Sequence, residues 1–351
     1  MSILIAVLVF GLIVFVHELG HFVAAKLSGV TVYRFSIGFG PAIVKKEWKG
    51  TLYAIRLLPL GGSVVMKGEF DEEGNEVEDQ TGSFQAASLP RRFAISAAGS
   101  VMNFLTGLLL IIITLWPAQA LPTAQVASLE EGFPAGGENG IQEGDRLVKI
   151  NDFHIFLYGD VMTALEYGAG EPYDITVERD GEKIELNDVE LTKQEYSDGQ
   201  GGTSLRYGMN FVTEKATVGN KLRYSLNNAG SFMQSVTEGL KQIFRGQVEK
   251  DDVMGTVGIA NEISNRAKTS ALDMWYFVAF LSINLSIMNL LPIPALDGGR
   301  IFFLLVDAVC LLLFKRKIPE RYQAAVNTAG FVVLMGFMLL VTFHDVFKLV
   351  T

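Results

Sequence analysis

Two histidines and a glutamate in the first apolar stretch have the side-chain types and the spacing of a metal-dependent hydrolase. In His17-Glu18-Leu19-Gly20-His21 the histidines are four residues apart, so on a helix both imidazoles lie on one face and can chelate one zinc ion. Glu18 lies about 100° around the same helix, where its carboxylate can take a proton from water at the metal's open position. The chain has only four histidines, and the pattern arises in roughly 0.3% of shuffled sequences.

A catalytic zinc ion takes three protein ligands and leaves one position for water, so a third ligand is expected elsewhere in the chain. We predict Asp297, because residues 292–299 contain two prolines and two glycines and must interrupt a long apolar helix. Asp307 is the alternative, although it lies in an uninterrupted helix and is also suited to pairing between helices. The remaining histidines, His154 and His344, fall outside the apolar stretches.

The composition places these residues in a membrane protein. Apolar residues make up 49% and charged residues 19% of the chain, whereas soluble domains carry about 25% charge. A helix needs about 20 apolar residues to cross the hydrocarbon core. Ionisable groups at that depth are costly without a partner, which argues against the alternative of hydrogen-bonded structural histidines without metal. The predicted spans are residues 3–27, 93–116, an interrupted span 275–314, and 323–343.

The interrupted span and the basic residues set the expected topology. Residues 275–314 as one straight helix would reach ~60 Å, about twice the hydrocarbon thickness, so we predict one crossing with a break. Non-helical backbone at that depth must be buried in protein or line a polar cavity. Lys and Arg cluster in loops 28–92 and 315–322, which predicts that both loops are cytoplasmic and that both termini and residues 117–274 lie outside. The alternative, a two-span hairpin within 275–314, would export the basic cluster.

The acidity of the chain belongs to the segment between the second and third spans. Residues 117–274 carry 25 acidic and 14 basic residues, and the whole chain has a net charge of −9. No basic stripe of the kind that binds nucleic acid is present in the sequence, so we expect no nucleic-acid partner. The single cysteine, Cys310, excludes an intrachain disulfide.

The two candidate metal motifs together resemble those of the site-2 protease family of intramembrane zinc metalloproteases. The resemblance is closest to the bacterial branch that releases sigma factors by cleaving anti-sigma factors. It implies one zinc ion per chain, held by His17, His21 and Asp297, with Glu18 as the catalytic base. It also implies a location in the bacterial cytoplasmic membrane and substrates that are single-span membrane proteins, already trimmed outside by another protease. The stretches that carry it are His17–His21, Asn289–Gly298, Phe35–Pro41, Leu58–Gly62 and Gly255–Ile259.

Three asparagines are candidates for substrate binding. Asn284 and Asn289 lie in an apolar helix beside the break, where an amide can bind substrate backbone or a developing oxyanion; hydrogen bonding between helices is the alternative. The resemblance adds Asn103, although residues 99–103 have Gly-Ser where the family commonly has Gly-Pro before the asparagine.

The segments outside the spans have expected roles of their own. Residues 52–66 contain two apolar runs around Gly61-Gly62, which predicts a β-hairpin whose edge takes up an unwound substrate strand; an ordinary surface hairpin is the alternative. Residues 117–194 resemble a PDZ domain, which either binds peptide or filters substrates by size. Residues 195–274 are predicted to be a linker with an amphipathic helix near 222–244, which packs on that domain or lies on the outer leaflet.

The predicted fold is a multi-span α-helical membrane protein of about four spans, with the third broken, a membrane-associated β-hairpin and an inserted extracytoplasmic α+β PDZ domain. The membrane domain takes residues 1–116 and 275–351. The predicted function is zinc-dependent cleavage of the transmembrane segment of single-span proteins, such as anti-sigma factors or signal-peptide remnants, in regulated intramembrane proteolysis. The alternatives are a non-proteolytic membrane scaffold whose PDZ domain binds exported peptides and a transporter that uses the broken helix.

Overall fold

The computed structural model divides the chain into two compact units. One unit contains residues 1–110 and 241–351, and the other contains residues 111–240. The structure describes residues 2–68, 81–137, 140–168, 172–197, 203–246, 254–315 and 319–350. Part of the basic loop predicted at 315–322, namely residues 316–318, lies outside the described residues.

Long apolar helices form the first unit. Its core joins the start of α1 (Ser2–Leu27) to α5 (Thr256–Thr269) and α6 (Ala271–Leu290), where Ala6 and Val9 pack with Ile263 and Val278. Four of the described helical segments are long and apolar enough to cross a membrane: Ile5–Leu27, Leu89–Leu115, Ala271–Leu290 and Arg321–Asp345. The helices of this unit are α1 (Ser2–Leu27), α2 (Leu89–Leu115, whose last residues belong to the other unit), α5 (Thr256–Thr269), α6 (Ala271–Leu290), α7 (Asp297–Phe314) and α8 (Glu320–Val350).

The backbone is interrupted between α6 and α7, as the two prolines predict. The six residues after Leu290 are non-helical, and α7 begins at Asp297, so Gly298 and Gly299 lie in its first turn rather than in the loop. The loop packs against α8: Asn327 Oδ1 accepts a hydrogen bond of 3.3 Å from the amide of Ala295. The irregular backbone therefore has a polar protein partner at Ala295, which such a break requires in an apolar environment.

The sheet beside these helices is paired differently from the sequence prediction. Strands β1 (Val32–Trp48) and β2 (Thr51–Met66) are antiparallel. The predicted hairpin around Gly61-Gly62 is wrong, because Phe35 of β1 pairs with both Tyr53 and Val64, so the two halves of β2 flank β1 instead of pairing with each other. Local apolar patterning does not encode this long-range pairing. As a result residues 62–66 form an outer strand of the sheet.

The second unit is a β-sheet domain with two helices. Its elements are β3 (Ala120–Leu129), β4 (Arg146–Ile150), β5 (Phe153–His154), α3 (Tyr158–Tyr167), β6 (Tyr173–Arg179), β7 (Glu182–Val189), β8 (Gln194–Ser197), β9 (Thr203–Arg206), β10 (Met209–Lys215) and α4 (Val218–Arg245, which continues into the first unit). The sheet has the order β10-β3-β4-β6-β7, with β5 paired to β4. Because β10 belongs to this sheet, the boundary predicted at residue 194 falls inside the domain.

The predicted amphipathic helix is α4, and one of its faces packs on the β-sheet domain. Phe232 and Val236 are buried, and the Ser231 hydroxyl donates a hydrogen bond to the Asp160 carboxylate. Burial raises the pKa of Asp160, although this hydroxyl and two backbone amides favour the charged form. Packing on the domain is thus the role that the structure gives to this face, while Leu226 is exposed.

A buried ion pair ties β6 to the turn before β4, and breaking it should destabilise the domain. Arg179 donates two hydrogen bonds, of 2.7 and 2.8 Å, to Asp145, whose side chain is 0% exposed, and this contact raises the pKa of the guanidinium. We expect Arg179→Leu to cost about 3–5 kcal/mol, because it leaves a buried carboxylate unpaired. Amide hydrogen exchange of β4 and β6 in the full chain measures the loss. The matched control is Arg223→Leu, which removes an exposed pair with Glu214 and should cost less than about 1 kcal/mol.

Candidate active site

The side chains of His17, His21 and Asp297 converge on one point between α1 and α7. The Nε2 atoms of the two imidazoles are 3.2 Å apart, and they lie 3.1 and 3.2 Å from Asp297 Oδ2. The ligand atoms of a tetrahedral zinc ion, at about 2.0–2.1 Å from the metal, lie roughly 3.3 Å from one another. Asp297 Oδ2 is buried and accepts no hydrogen bond from the described residues. The three side chains therefore fit one zinc ion, both in donor chemistry and in spacing.

Glycines bring α2 close to α1 at the level of the imidazoles. A Cβ atom at Gly20 would lie 2.8 Å from the Met102 side chain and closer still to the backbone oxygen of Ala98. A Cβ atom at Gly99 would lie 2.7 Å from Cε1 of His17 and would overlap Nε2 of His21. The space that both rings occupy thus exists because Gly99 has no side chain, a requirement that the sequence analysis missed.

Substituting Gly99 should weaken zinc binding although Gly99 is not itself a candidate ligand. We expect Gly99→Ala to lower zinc affinity by about 5- to 150-fold, because overpacking of about 1–3 kcal/mol must be relieved by moving the imidazoles. Competition with a chromophoric chelator measures the affinity. The control is Gly336→Ala in α8, whose added Cβ would meet no atom within 4 Å. Equal zinc affinity in Gly99→Ala and wild type would contradict this account of the contact.

A backbone carbonyl of α2 fixes the orientation of the His21 ring through its Nδ1 atom. His21 Nδ1 lies 2.7 Å from the carbonyl oxygen of Ile95. A carbonyl oxygen only accepts hydrogen bonds, so Nδ1 carries the proton and Nε2 presents its lone pair to the cluster with Asp297. This is the arrangement that orients a metal-binding imidazole.

A cavity of about 280 Å³ opens beside the three candidate ligands. Glu18 lines it directly beside the outer strand of β2, where a Cβ atom at Gly62 would lie only 2.6 Å from Glu18 Cγ. The carboxylate that the sequence assigns to proton transfer therefore shares one cavity with the three ligands. Arg300 and Ser63 also line it and extend into a neighbouring cavity of about 470 Å³, which reaches α8.

The other predicted site residues differ in their position relative to this cavity. Asn289 lines the cavity, whereas Asn284 is not among its lining residues. Asn103 is 1% exposed and lies behind His17, with its amide nitrogen 3.5 Å from His17 Nδ1. Asp307, the alternative third ligand, lies outside the cluster; it is 6% exposed and accepts a hydrogen bond of 3.1 Å from Gln323, which is the pairing between helices that was its alternative role.

Comparison with known proteins agrees with this chemistry. Residues 5–337 match the family model described as Peptidase family M50. The chain is 36% identical to "Putative zinc metalloprotease CPE1693" of Clostridium perfringens, over 99% of this chain and 98% of that protein. It is 29% identical to "Regulator of sigma-W protease RasP" of Bacillus subtilis, over 98% of this chain and 97% of that protein. It is 30% identical to "Zinc metalloprotease RasP" of Geobacillus kaustophilus, over 99% of this chain and 98% of that protein.

The family match covers nearly the whole chain, and α1, the helix that contains both His17 and His21, is long and apolar enough to cross a membrane. The chain therefore belongs to peptidase family M50, and it is a membrane zinc metalloendopeptidase.

Proposed function

We propose that His17, His21 and Asp297 hold the catalytic zinc ion and that Glu18 is the general base of an intramembrane endopeptidase. The observation that carries the proposal is the triangle of ligand atoms, with edges of 3.1–3.2 Å, which joins α1 to the first residue of α7. Its substrates are single-span membrane proteins in regulated intramembrane proteolysis, anti-sigma factors among them. The sigma-W regulator named among the relatives supports this substrate class.

The chain's own residues divide the chemistry among them. When bound, zinc supplies a Lewis acid that polarises the scissile carbonyl and lowers the pKa of water. Glu18 accepts the proton of the attacking water and delivers it to the amine that leaves. Asn289, which lines the same cavity, offers an amide donor to substrate backbone or to the developing negative charge.

A substrate helix must be unwound before its peptide bond can react, because each carbonyl within it is already hydrogen-bonded. The outer strand at residues 62–66 lines the cavity and is a suitable edge for an added strand. The neighbouring cavity, which shares Ser63, Val64 and Arg300, continues the same path. We assign the extended substrate to this path.

The topology inferred from basic residues also forms part of the proposal: both termini and the β-sheet domain lie outside, and loops 28–92 and 315–322 lie in the cytoplasm. In the first unit the Asp345 carboxylate of α8 accepts hydrogen bonds of 3.2 and 2.8 Å from the amides of Gly255 and Gly258, at the start of α5. The far end of the last span thus meets a segment that lies within the predicted extracytoplasmic residues 117–274. This contact supports a single crossing by the broken span.

We assign a PDZ-type role to the β-sheet domain. Its edge strand β10 and helix α3 border a cavity of about 420 Å³, with Tyr158 and Met162 on the helix and Phe211 on the strand. A groove between an edge strand and a helix is the geometry in which such domains add a peptide as a further strand. Binding of a substrate terminus and filtering by size are both compatible with this groove.

The experiment that tests the proposal is cleavage of a single-span membrane peptide by the purified full chain in detergent. We expect cleavage within the apolar segment, loss of cleavage after chelation and recovery with one equivalent of zinc. A non-proteolytic scaffold predicts peptide capture without cleavage under all three conditions. Cleavage that continues unchanged in the fully chelated protein would contradict the zinc-dependent mechanism.

A further inference from the structure

One face of α2 lines up with both imidazoles. Ile95, Gly99 and Asn103 are spaced by four residues, so they share one face of the helix. The carbonyl oxygen of Ile95 is 2.7 Å from His21 Nδ1, and the Asn103 amide is 3.5 Å from His17 Nδ1. Each ring thus turns Nε2 towards Asp297 and Nδ1 towards α2.

Asn103 is built into this face with one unsatisfied atom. The residue is 1% exposed, and its Oδ1 is buried without a hydrogen-bond partner among the described residues. The backbone of Asn103 is held from the other side, because the buried Ser282 hydroxyl of α6 donates a hydrogen bond of 2.8 Å to its carbonyl oxygen.

Zinc binding determines whether His17 Nδ1 needs a hydrogen-bond donor or an acceptor from Asn103. A neutral imidazole that gives the Nε2 lone pair to zinc carries its proton on Nδ1. The Asn103 amide presents Nδ2 to that atom, so two donors would face each other in the zinc-bound protein. A half-turn of the amide group exchanges its nitrogen and oxygen and aims the unpaired Oδ1 at the Nδ1 proton.

We propose that Asn103 Oδ1 accepts the Nδ1 proton of His17 in the zinc-bound protein, which makes Asn103 the positioning residue of that ligand. The inference rests on the proposed metal centre and gives Asn103 a role different from substrate binding. α2 then supplies the outer partner of each histidine: a backbone carbonyl to His21 and an amide side chain to His17. Partners of this kind set the tautomer and orientation of a ligand, and losing one typically costs about 10–100-fold in metal affinity.

The test compares zinc affinities of three variants of the purified full chain by chelator competition. We expect Asn103→Leu to bind zinc about 10–100-fold more weakly than wild type. Asn103→Asp should stay within a few-fold of wild type, because a carboxylate also accepts the Nδ1 proton. Ser100→Ala is the matched control and should leave affinity unchanged, since it alters a buried side chain one turn away on the same helix.

Thermal unfolding of the metal-free proteins separates this role from packing. A positioning role predicts that Asn103→Leu and Asn103→Asp lose zinc affinity unequally even where their metal-free stabilities are equal. Equal zinc affinity in Asn103→Leu and wild type would overturn the inference, as would an equal loss of affinity in the leucine and aspartate variants. If Asn103→Leu does not fold, the comparison of Asn103→Asp with wild type decides, because weakening of about tenfold or more overturns the inference. If wild type itself binds no zinc, the proposed metal centre fails instead.

Discussion

Glu18→Gln should keep one zinc ion per chain and reduce the cleavage rate by about 10²–10⁴-fold. The glutamine amide has nearly the shape of the carboxylate, so the cavity that Glu18 lines is preserved. It cannot accept a proton from water or deliver one to the leaving amine, so the general acid–base contribution is lost. Metal analysis and cleavage of a single-span peptide, both on the same preparation, measure the two halves of the prediction.

The control for this variant is Gly62→Ala, which leaves the carboxylate in place but adds a Cβ atom 2.6 Å from Glu18 Cγ. It should also retain zinc, and it should lower the cleavage rate less than Glu18→Gln, because the displaced base is still present. Full turnover by purified Glu18→Gln would refute the role assigned to Glu18. Loss of zinc from that variant would mean that Glu18 supports the metal rather than the proton transfer.

Asp297→Asn should weaken zinc binding by more than the roughly 10–100-fold that loss of a partner outside the coordination shell causes. Asp297 Oδ2 lies 3.1 and 3.2 Å from the two imidazole nitrogens, so the substitution removes the anionic ligand from the cluster. Cleavage should fall in proportion to zinc occupancy and recover in part when zinc is added in excess. Chelator competition, followed by activity at increasing zinc concentrations, measures both effects.

The matched control for Asp297→Asn is Asp307→Asn, on the same helix. Asp307 is also buried, at 6% exposure, and is hydrogen-bonded to Gln323, so its substitution should leave zinc affinity unchanged while it alters contact between α7 and α8. If Asp307→Asn weakens zinc binding and Asp297→Asn leaves it unchanged, Asp307 is the third ligand and the assignment of Asp297 is wrong.

Residues close together in sequence, or marked by a strong local break, were the predictable part of the site. The spacing of His17 and His21 needs only the helical period to place both rings together. Asp297 is distant in sequence, but the prolines before it force non-helical backbone, and charged groups in apolar segments are confined to such places. Its side chain indeed lies beside the two imidazoles.

Features that depend on contact between distant segments were not predictable. Phe35 of β1 pairs with Tyr53 on one side and with Val64 on the other. The alternation of apolar and polar residues within 52–66 does not encode this pairing, so the predicted hairpin was wrong. Gly99 resembles any other small residue of an apolar helix until the imidazoles lie against it. The position of β10 in the sheet was unpredictable for the same reason. This strand lies beyond the boundary expected at residue 194, follows two short strands and pairs with the distant strand β3.

The most direct test of the metal centre is X-ray absorption spectroscopy at the zinc edge of the purified full chain. We expect one zinc ion per chain, two imidazole ligands, and nitrogen and oxygen neighbours at about 2.0–2.1 Å. The imidazole signal should halve in any zinc that His21→Ala retains. A zinc site with no imidazole ligands, or a spectrum unchanged by His21→Ala, would contradict the account.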